Sequence, residues 1–178
     1  MGYTVIMWAS VSCSVLRTAP LIIRRASSTA LTPECHPALR FGIPRVDPDI
    51  LVKPGFVIGF DRAMRNPSWV AERLSEDSVT GGKAMRKGVR FYEESDIDPQ
   101  FRAKLSDYRR SGYDRGHMAA AANHRSSMTH IRATFSLANA IPQVGPGFNQ
   151  GYWARIEHWT RRLTIQWKAA HVVTGPLY

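Results

Sequence analysis

The sequence predicts an α+β fold in which a mixed or antiparallel sheet is flanked by helices. Alternation over residues 55–63 predicts a strand, residues 69–74 predict a second one, and the turn signal at 65–68 between them is typical of a hairpin. A 3.6-residue apolar period predicts a long helix over residues 149–167. A β-branched run at 171–174 predicts one more strand, and 178 residues suit one compact domain.

The first thirty residues differ in composition from the rest of the chain. Residues 1–30 contain three arginines and several serines, and the first acidic residue is Glu34. Such segments are typical of mitochondrial transit peptides, which we expect here. The apolar run at residues 3–16 leaves an inner-membrane anchor as the alternative, although it is short of the roughly 20 apolar residues that a membrane-spanning helix needs.

The rest divides into a connector and a folded domain. Five prolines lie in residues 31–54, so we predict a Pro-rich connector with little regular structure, followed by a domain over 55–178. Within that domain we expect a polar, basic loop over 75–100 and a short helix over 101–108. We further expect a buried strand over 134–138, and a last strand that Gly175 and Pro176 interrupt.

The charge of the chain favours a polyanionic partner. It has 24 Lys and Arg against 14 Asp and Glu, a formal net charge of +10, and loss of residues 1–30 would remove only three arginines. A field of this sign concentrates polyanions near the surface, unless the charge is spread evenly. Four cations cluster in the basic loop, where a solvated connection without a role is the alternative: Lys83, Arg86, Lys87 and Arg90.

The cysteine content excludes two classes of structure. The chain has two cysteines, Cys13 and Cys35, and Cys13 lies in the segment that we expect to be removed. A disulfide framework is therefore not expected. No Cys-x-x-Cys pair is present, and the spacing of His117, His124 and His130 fits none of the common zinc patterns.

The middle of the chain holds a candidate base and a candidate phosphate ligand. His117 can accept a proton near neutral pH, and Arg115 offers planar donors to phosphate. In an extended segment, residues two apart lie on one face, so these side chains should be neighbours. Gly116 between them is expected to leave room for a ligand to approach the backbone.

Three further residues offer oxygen ligands to a hard divalent cation. They are Asn139, Asn149 and Glu157. On a regular helix Glu157 lies roughly 80° around from Asn149, at about 100° per residue, so both can face one volume. Each signal is weak alone, because an Asn at the start of a helix is usually a cap.

Taken together, these residues resemble a known family. The run Tyr-Asp-Arg-Gly-His-Met-Ala-Ala-Ala-Ala-Asn at 113–123 resembles the signature of the DNA/RNA non-specific endonucleases, whose fold carries a ββα-metal motif. Blocks at 134–143, 149–157 and 172–178 agree with the family in order and spacing, and residues 60–74 resemble its upstream hairpin. The similarity is greatest to the mitochondrial branch, endonuclease G and its exonuclease-like relative.

The resemblance implies a metal site and a base. His117 would be the general base, and Asn149 would be the single direct protein ligand of Mg²⁺, for which Mn²⁺ can substitute. Glu157 would hold the waters on the metal, and Asn139 would support the geometry of the histidine and the substrate.

The resemblance and the charge pattern also assign cations to the site. Arg115 would lie beside the metal and the substrate phosphate, and Arg73 would stabilise charge in the transition state. We expect Arg115 to bind nucleic acid together with three residues of the basic loop, Lys83, Arg86 and Lys87.

The activity implied by the resemblance is Mg²⁺-dependent hydrolysis of DNA and RNA, without base specificity, to 5′-phosphate products. The resemblance also suggests a homodimer. Members of the family continue beyond the block at 172–178, so we expect the domain to lack the C-terminal strands of the family. The alternative is therefore an inactive or misfolded truncated relative that only binds nucleic acid.

Overall fold

A five-stranded antiparallel sheet is the centre of the fold in the computed structural model, which describes the backbone of residues 2–8 and the whole of residues 35–177. The strand order is β1-β7-β4-β3-β2. The bounds are β1 Gly2–Trp8, β2 Asp49–Lys53, β3 Phe56–Asp61, β4 Asn66–Ser75 and β7 Ala169–Leu177. The predicted α+β class is confirmed, and every strand pairing is antiparallel.

A separate two-stranded sheet and four α-helices complete the described part of the chain. The small sheet pairs β5 (Tyr113–His117) with β6 (Ala140–Val144). The helices are α1 Glu76–Thr80, α2 Leu105–Tyr108, α3 Met128–Thr134 and α4 Ala154–Trp167, and a wide helical segment, Gly145–Trp153, precedes α4. The order β5, β6, α4 is the ββα arrangement that the resemblance implied.

The large sheet is covered on both faces. One face carries Phe56, Ile58 and Phe60, which pack with residues of the β5–β6 region such as Met118 and Ile141. The other face carries Val57, Trp69 and Ala71, covered by Ala38 and Leu39 of a short 3₁₀ helix. Because β3 is buried on both sides, its sequence is a nearly continuous run of apolar residues.

Helix α4 lies on the same face of the sheet as the small sheet. Thr160 and Thr164 are its buried residues, and Ile156 is half-buried. Trp159 and Trp167, two of the large apolar residues of the helix, are 51% and 56% exposed. The helix therefore packs through a narrow, partly polar stripe.

The β3–β4 hairpin packs closely, at Gly59, against the segment that precedes β2. A Cβ at Gly59 would collide with the indole of Trp69 and with the carboxylate of Asp47. That indole Nε1 donates a 2.7 Å hydrogen bond to Asp47 Oδ2, which also accepts one from Ser68 Oγ. The glycine is thus required by packing between neighbouring strands.

Several predicted elements are corrected by the structure. Residues 49–53, assigned to the connector, form β2, because their backbone pairs with β3 in spite of the flanking prolines. Residues 134–138 are buried but are not a strand: they cover the end of α3 and the start of a 3₁₀ turn. The last strand runs through Gly175 and Pro176, and regular α-helix starts at Ala154 rather than at 149.

The predicted targeting segment lies almost entirely outside the described residues. Within 1–30 only the backbone of Gly2–Trp8 is described, and it pairs with β7. Among the helices of the described part, none has the length and apolarity that crossing a bilayer requires. The transit peptide and its membrane-anchor alternative stay predictions.

Gly59→Ala should lower the free energy of unfolding by about 1–3 kcal/mol, because the added methyl forces apart two buried side chains. Gly151→Ala is the matched control, since a Cβ there meets nothing within 4 Å, and it should stay within about 0.5 kcal/mol of the parent. Urea unfolding followed by tryptophan fluorescence measures both. Equal stabilities for the two variants would contradict the packing described here.

Candidate active site

The strand β5 presents the two residues that the sequence placed on one face. Arg115 and His117 line one cavity, and each stands against the ring of Phe91. Gly116 between them lies over Gln143 of β6, whose side chain occupies the space that a Cβ would need. The interpretation that Gly116 makes room for a ligand is therefore wrong: it makes room for a buried side chain of the partner strand.

His117 is held by aromatic rings. Its ring centroid lies 5.0 Å from that of Phe91 and 4.8 Å from that of Phe135, in an edge contact with the latter. Trp153 Nε1 donates a hydrogen bond to the backbone oxygen of His117 at 3.2 Å. Burial, with the nearby charge of Arg86, lowers the pKa of His117 to about 3. The imidazole is therefore neutral at neutral pH and can accept a proton.

Asn139 is fully buried and hydrogen-bonds the backbone next to His117. Its Oδ1 accepts a 2.9 Å hydrogen bond from Ala119 N, and its Nδ2 donates to the oxygens of Ala119 and Thr134. Its backbone oxygen accepts from Met118 N. Asn139 thus fixes the chain directly after the histidine, and its burial keeps it from contacting a substrate.

The cavity beside His117 has a volume of about 500 Å³ and is strongly polar. It is formed by residues of β5, of the segment before α4, of α4 itself and of the basic loop. The lining residues are Arg86, Phe91, Asp114, Arg115, His117, Ala121, Ala122, Asn149, Gln150, Ala154 and Glu157. Residues that the sequence placed on three separate segments are brought together here.

The amide of Asn149 is oriented by Asp114. Asn149 Nδ2 donates to Asp114 Oδ2 at 2.8 Å, and Gln150 Nε2 donates to the same oxygen at 2.9 Å. These two hydrogen bonds hold the pKa of Asp114 below its usual value. Because the nitrogen of the Asn149 amide is engaged, its Oδ1 is left as the acceptor that can face a cation.

Glu157 is a carboxylate without a close partner. It forms no hydrogen bond or ion pair with any residue of the described range 35–177. Burial raises its pKa to about 7, against the opposing charges of Arg161 and Arg86. A desolvated carboxylate that lacks a partner is stabilised when a cation enters the cavity.

The donor set fits a hard divalent cation. Asn149 Oδ1 and the Glu157 carboxylate are oxygen ligands, which Mg²⁺ prefers, and Mg²⁺ usually retains several waters. Within the described ranges, no group of three or more His, Cys, Asp or Glu residues could hold a metal. The zinc alternative built on histidines thus has no ligand set there, whereas a water-rich Mg²⁺ site needs only one or two protein ligands.

Arg73 lies away from this cavity. It is an exposed residue of β4 and lies opposite His171 in the pairing with β7. Its neighbours in sequence, Glu72 and Leu74, are buried on the α4 side, so alternation places Arg73 on the other face of the sheet. The prediction that Arg73 stabilises charge at the site is therefore wrong.

Of the loop cations, Arg86 reaches the cavity. Its charge acts on both His117 and Glu157, and its side chain stays exposed. Lys83 and Lys87 are exposed but do not line this cavity. Arg86 therefore lies beside the reacting groups, where the sequence had predicted Arg73.

Four residues that shape the site were assigned no role from the sequence. Phe91, Phe135 and Trp153 hold the histidine, and Asp114 orients Asn149. Asp114 could have been found, because it lies beside the base and an acid commonly orients an amide. Phe91 is brought in from a loop with no regular pattern, so no local signal marks it.

Comparison with known proteins identifies the family of the chain. The family model for DNA/RNA non-specific endonucleases matches residues 36–178. The chain belongs to this endonuclease family. A solved structure of an EndoG/EndoGI complex superimposes with a TM-score of 0.79 and 42% identity, covering 84% of this chain and 61% of that one.

Curated relatives within the endonuclease family come from fungi and animals. Nuclease 1, mitochondrial, of Schizosaccharomyces pombe is 44% identical over 78% of this chain and 43% of its own length. Endonuclease G, mitochondrial, of Bos taurus is 38% identical over 78% of this chain and 46% of its own length. The chain thus spans somewhat less than half the length of these relatives.

The opposite pKa shifts in this endonuclease-family site predict opposite pH effects on stability. The lowered pKa of His117 means that its contribution to stability decreases as pH falls from 6.5 toward 3. The raised pKa of Glu157 means that its contribution decreases as pH rises from 4.5 to about 7. Between 4.5 and 6.5 the two effects oppose one another.

Relative to the parent in EDTA, His117→Ala should therefore gain stability as pH falls, and Glu157→Gln should gain stability as pH rises to 7. Each difference should change by at most about 1.4 kcal/mol per pH unit, the value for one proton. Urea unfolding at pH 5, 6 and 7 measures both. Differences that do not vary with pH would contradict the burial of these groups.

Asp114→Ala should weaken Mn²⁺ binding about 10- to 100-fold, because the Asn149 amide loses the acceptor that orients it. Gln150→Ala is the matched control: it removes the other hydrogen bond to Asp114 and leaves the one from Asn149. Calorimetric titration with Mn²⁺ measures binding without reference to cleavage. Unchanged affinity in Asp114→Ala would show that Asn149 is positioned by other contacts.

Proposed function

We propose that the chain is a Mg²⁺-dependent nuclease that hydrolyses phosphodiester bonds of DNA and RNA without regard to base sequence. The observation that carries this proposal is the shared cavity, where a neutral His117 faces the oxygen donors of Asn149 and Glu157. Membership of the endonuclease family supports the reaction class.

His117 acts as the general base. Its unprotonated ring accepts a proton from a water whose oxygen attacks phosphorus, and the bond from phosphorus to the 3′ oxygen breaks. The leaving 3′ oxygen takes a proton from solvent, so the products end in a 3′-hydroxyl and a 5′-phosphate. The contacts with Phe91 and Phe135 hold the ring in one orientation while the proton moves.

Asn149 and Glu157 would hold the cation, Asn149 directly and Glu157 through waters. Bound Mg²⁺, or Mn²⁺ in its place, supplies positive charge for the phosphoryl and leaving oxygens as negative charge develops there. Asp114 keeps the oxygen of the Asn149 amide available for this role.

Arg86 and Arg115 bind the phosphate. Both are exposed at the cavity, and their guanidinium groups match the oxygens of a phosphate. Contacts to phosphate carry no base information, so cleavage should be independent of sequence and should extend to both DNA and RNA.

We further propose a mitochondrial location, supported by relatives that are named mitochondrial nucleases. An inner-membrane association through residues 1–30 and a homodimer both stay predictions, because they concern regions or partners that the described residues do not include.

His117→Ala should reduce cleavage of plasmid DNA by at least about 10²-fold, since it removes the base, while nucleic-acid binding is largely retained. The control is His158→Ala, an exposed histidine of α4, which should cut like the parent. Gel assays give the rate and anisotropy gives the binding. A near-parental rate in His117→Ala would refute the assignment of the base.

Addition of EDTA should stop cleavage, and excess Mg²⁺ or Mn²⁺ should restore it, because the metal would supply positive charge at the leaving oxygen in addition to that of Arg86 and Arg115 at the phosphate. Asn149→Ala should need far more metal for the same rate. Cleavage that is indifferent to the chelator would contradict the metal mechanism. A parent chain that binds nucleic acid but never cuts it with either metal would instead establish the alternative of an inactive, binding-only relative.

A further inference from the structure

Two more cavities adjoin the catalytic one along the basic loop. The first, of about 320 Å³, shares Arg86, Ala121 and Ala122 with the catalytic cavity and extends to Arg125. The second, of about 430 Å³, is reached across Lys87, which lines both. The three cavities therefore neighbour one another in a row that leads away from His117, and this row is called the path below.

The path carries positive charge throughout. Beyond Arg86 its cations are Lys87, Arg90, Arg125 and Arg132, and no acidic residue lines either additional cavity. Within the described range 35–177, none of these four cations forms an ion pair with an acid. Lys87, Arg90 and Arg132 are also exposed, so their charges are available to a ligand.

The position of the loop is fixed at both ends. Ala84 N donates to the oxygen of Arg125, and a Cβ at Gly82 would collide with that same oxygen, so the loop lies directly against this segment. At the other end, Tyr92 N donates to the oxygen of Phe135, and Leu137 N donates to the oxygen of Tyr92. The loop backbone that carries Arg86, Lys87 and Arg90 is therefore anchored at both ends to the segments that flank α3.

The far cavity also offers apolar surface. Met128 is 41% exposed and Tyr92 is 37% exposed, and both line it beside Arg90 and Arg132. Bases of a single strand stack on aromatic and apolar side chains while cations follow the backbone. A small anion would use the arginines alone, whereas a polynucleotide uses both kinds of surface.

We propose that this path binds the nucleic-acid strand beyond the scissile phosphate, with Arg90 and Arg132 holding a distal phosphate and Tyr92 and Met128 contacting the adjacent base. The inference rests on the proposed nuclease function and deepens it: the protein prefers substrates long enough to reach from His117 to Arg132. Single-stranded regions are favoured, because their bases are free to stack.

The binding test uses His117→Ala as the parent, so that the substrate survives. Its affinity for labelled oligothymidylates of 4 to 20 nucleotides should rise with length until the strand reaches Arg132. Adding Arg90→Gln and Arg132→Gln should end that rise at a shorter length and weaken 20-mer binding about tenfold. The slope of log K against log salt should become shallower by about 0.7, the value for one lost phosphate contact with a single strand.

The matched control adds Arg109→Gln and Arg162→Gln, which make the same change in net charge at exposed positions outside these cavities. It should stay within about twofold of its parent at every length. Equal losses in the two double variants would show a general effect of charge and would overturn the proposal.

A cleavage test separates this inference from the proposed function. With His117 intact, the ratio of kcat/KM for a 20-mer to that for a trinucleotide should fall about tenfold in Arg90→Gln/Arg132→Gln and stay constant in the control. A parent that cuts neither substrate refutes the nuclease proposal and leaves the binding test to decide the path. A parent that cuts both, with an unchanged ratio in the variant, refutes the path alone.

An anionic membrane is the other polyanion that a basic surface can meet. Sedimentation with vesicles of anionic phospholipid provides the comparison. If vesicle binding is lost in Arg90→Gln/Arg132→Gln while oligonucleotide binding is unchanged, the surface belongs to a membrane and the proposal is wrong.

Discussion

Two buried ionisable groups, His117 and Glu157, share one cavity, and the rest of the site depends on this constraint. Burial keeps His117 unprotonated and leaves Glu157 as a carboxylate that lacks a protein partner. The ionised state of Glu157 is costly unless a cation enters, because a desolvated charge requires a counter-charge. A cation and a phosphate supply what the two groups lack, so the same burial that costs stability creates the function that we propose.

The surrounding strands and helix hold His117 and Glu157 in this shared cavity. The β5–β6 pair positions His117, and α4 positions Glu157 in the same cavity. Asn139, Asp114 and the aromatic rings do not need to touch substrate, since each fixes a group that does. Functional geometry thus rests on a layer of side chains whose own hydrogen bonds are satisfied inside the protein.

The sequence predicted the fold class and indicated which residues would lie together, but it misassigned several local elements. The hairpin and the residues His117, Arg115, Asn149 and Glu157 follow from short-range patterns and linked motifs, and the structure brings those four side chains to one cavity. The strand at 49–53 was missed, because prolines flank it and its stability comes from pairing with β3. The apolar run at 134–138 was misassigned, because burial alone does not distinguish a strand from a helix end.

The error at Arg73 has a different origin. Similarity in sequence suggested a role, but alternation along β4 places the buried Glu72 on the α4 side and the exposed Arg73 on the other. The positive charge near the base comes instead from Arg86, in a loop whose course is fixed by contacts distant in sequence. Contacts between residues distant in sequence produce no periodic pattern in the sequence, so they are seen only in the structure.

The central claim is that this cavity hydrolyses a phosphodiester with the help of a divalent cation. Digestion of an end-labelled single strand by the full chain in ¹⁸O-enriched water, followed by mass spectrometry, tests it directly. The account predicts Mg²⁺-dependent products whose new 5′-phosphates each carry one ¹⁸O atom. Absence of products with both Mg²⁺ and Mn²⁺, or products in which the phosphate remains on the 3′ end, would contradict it.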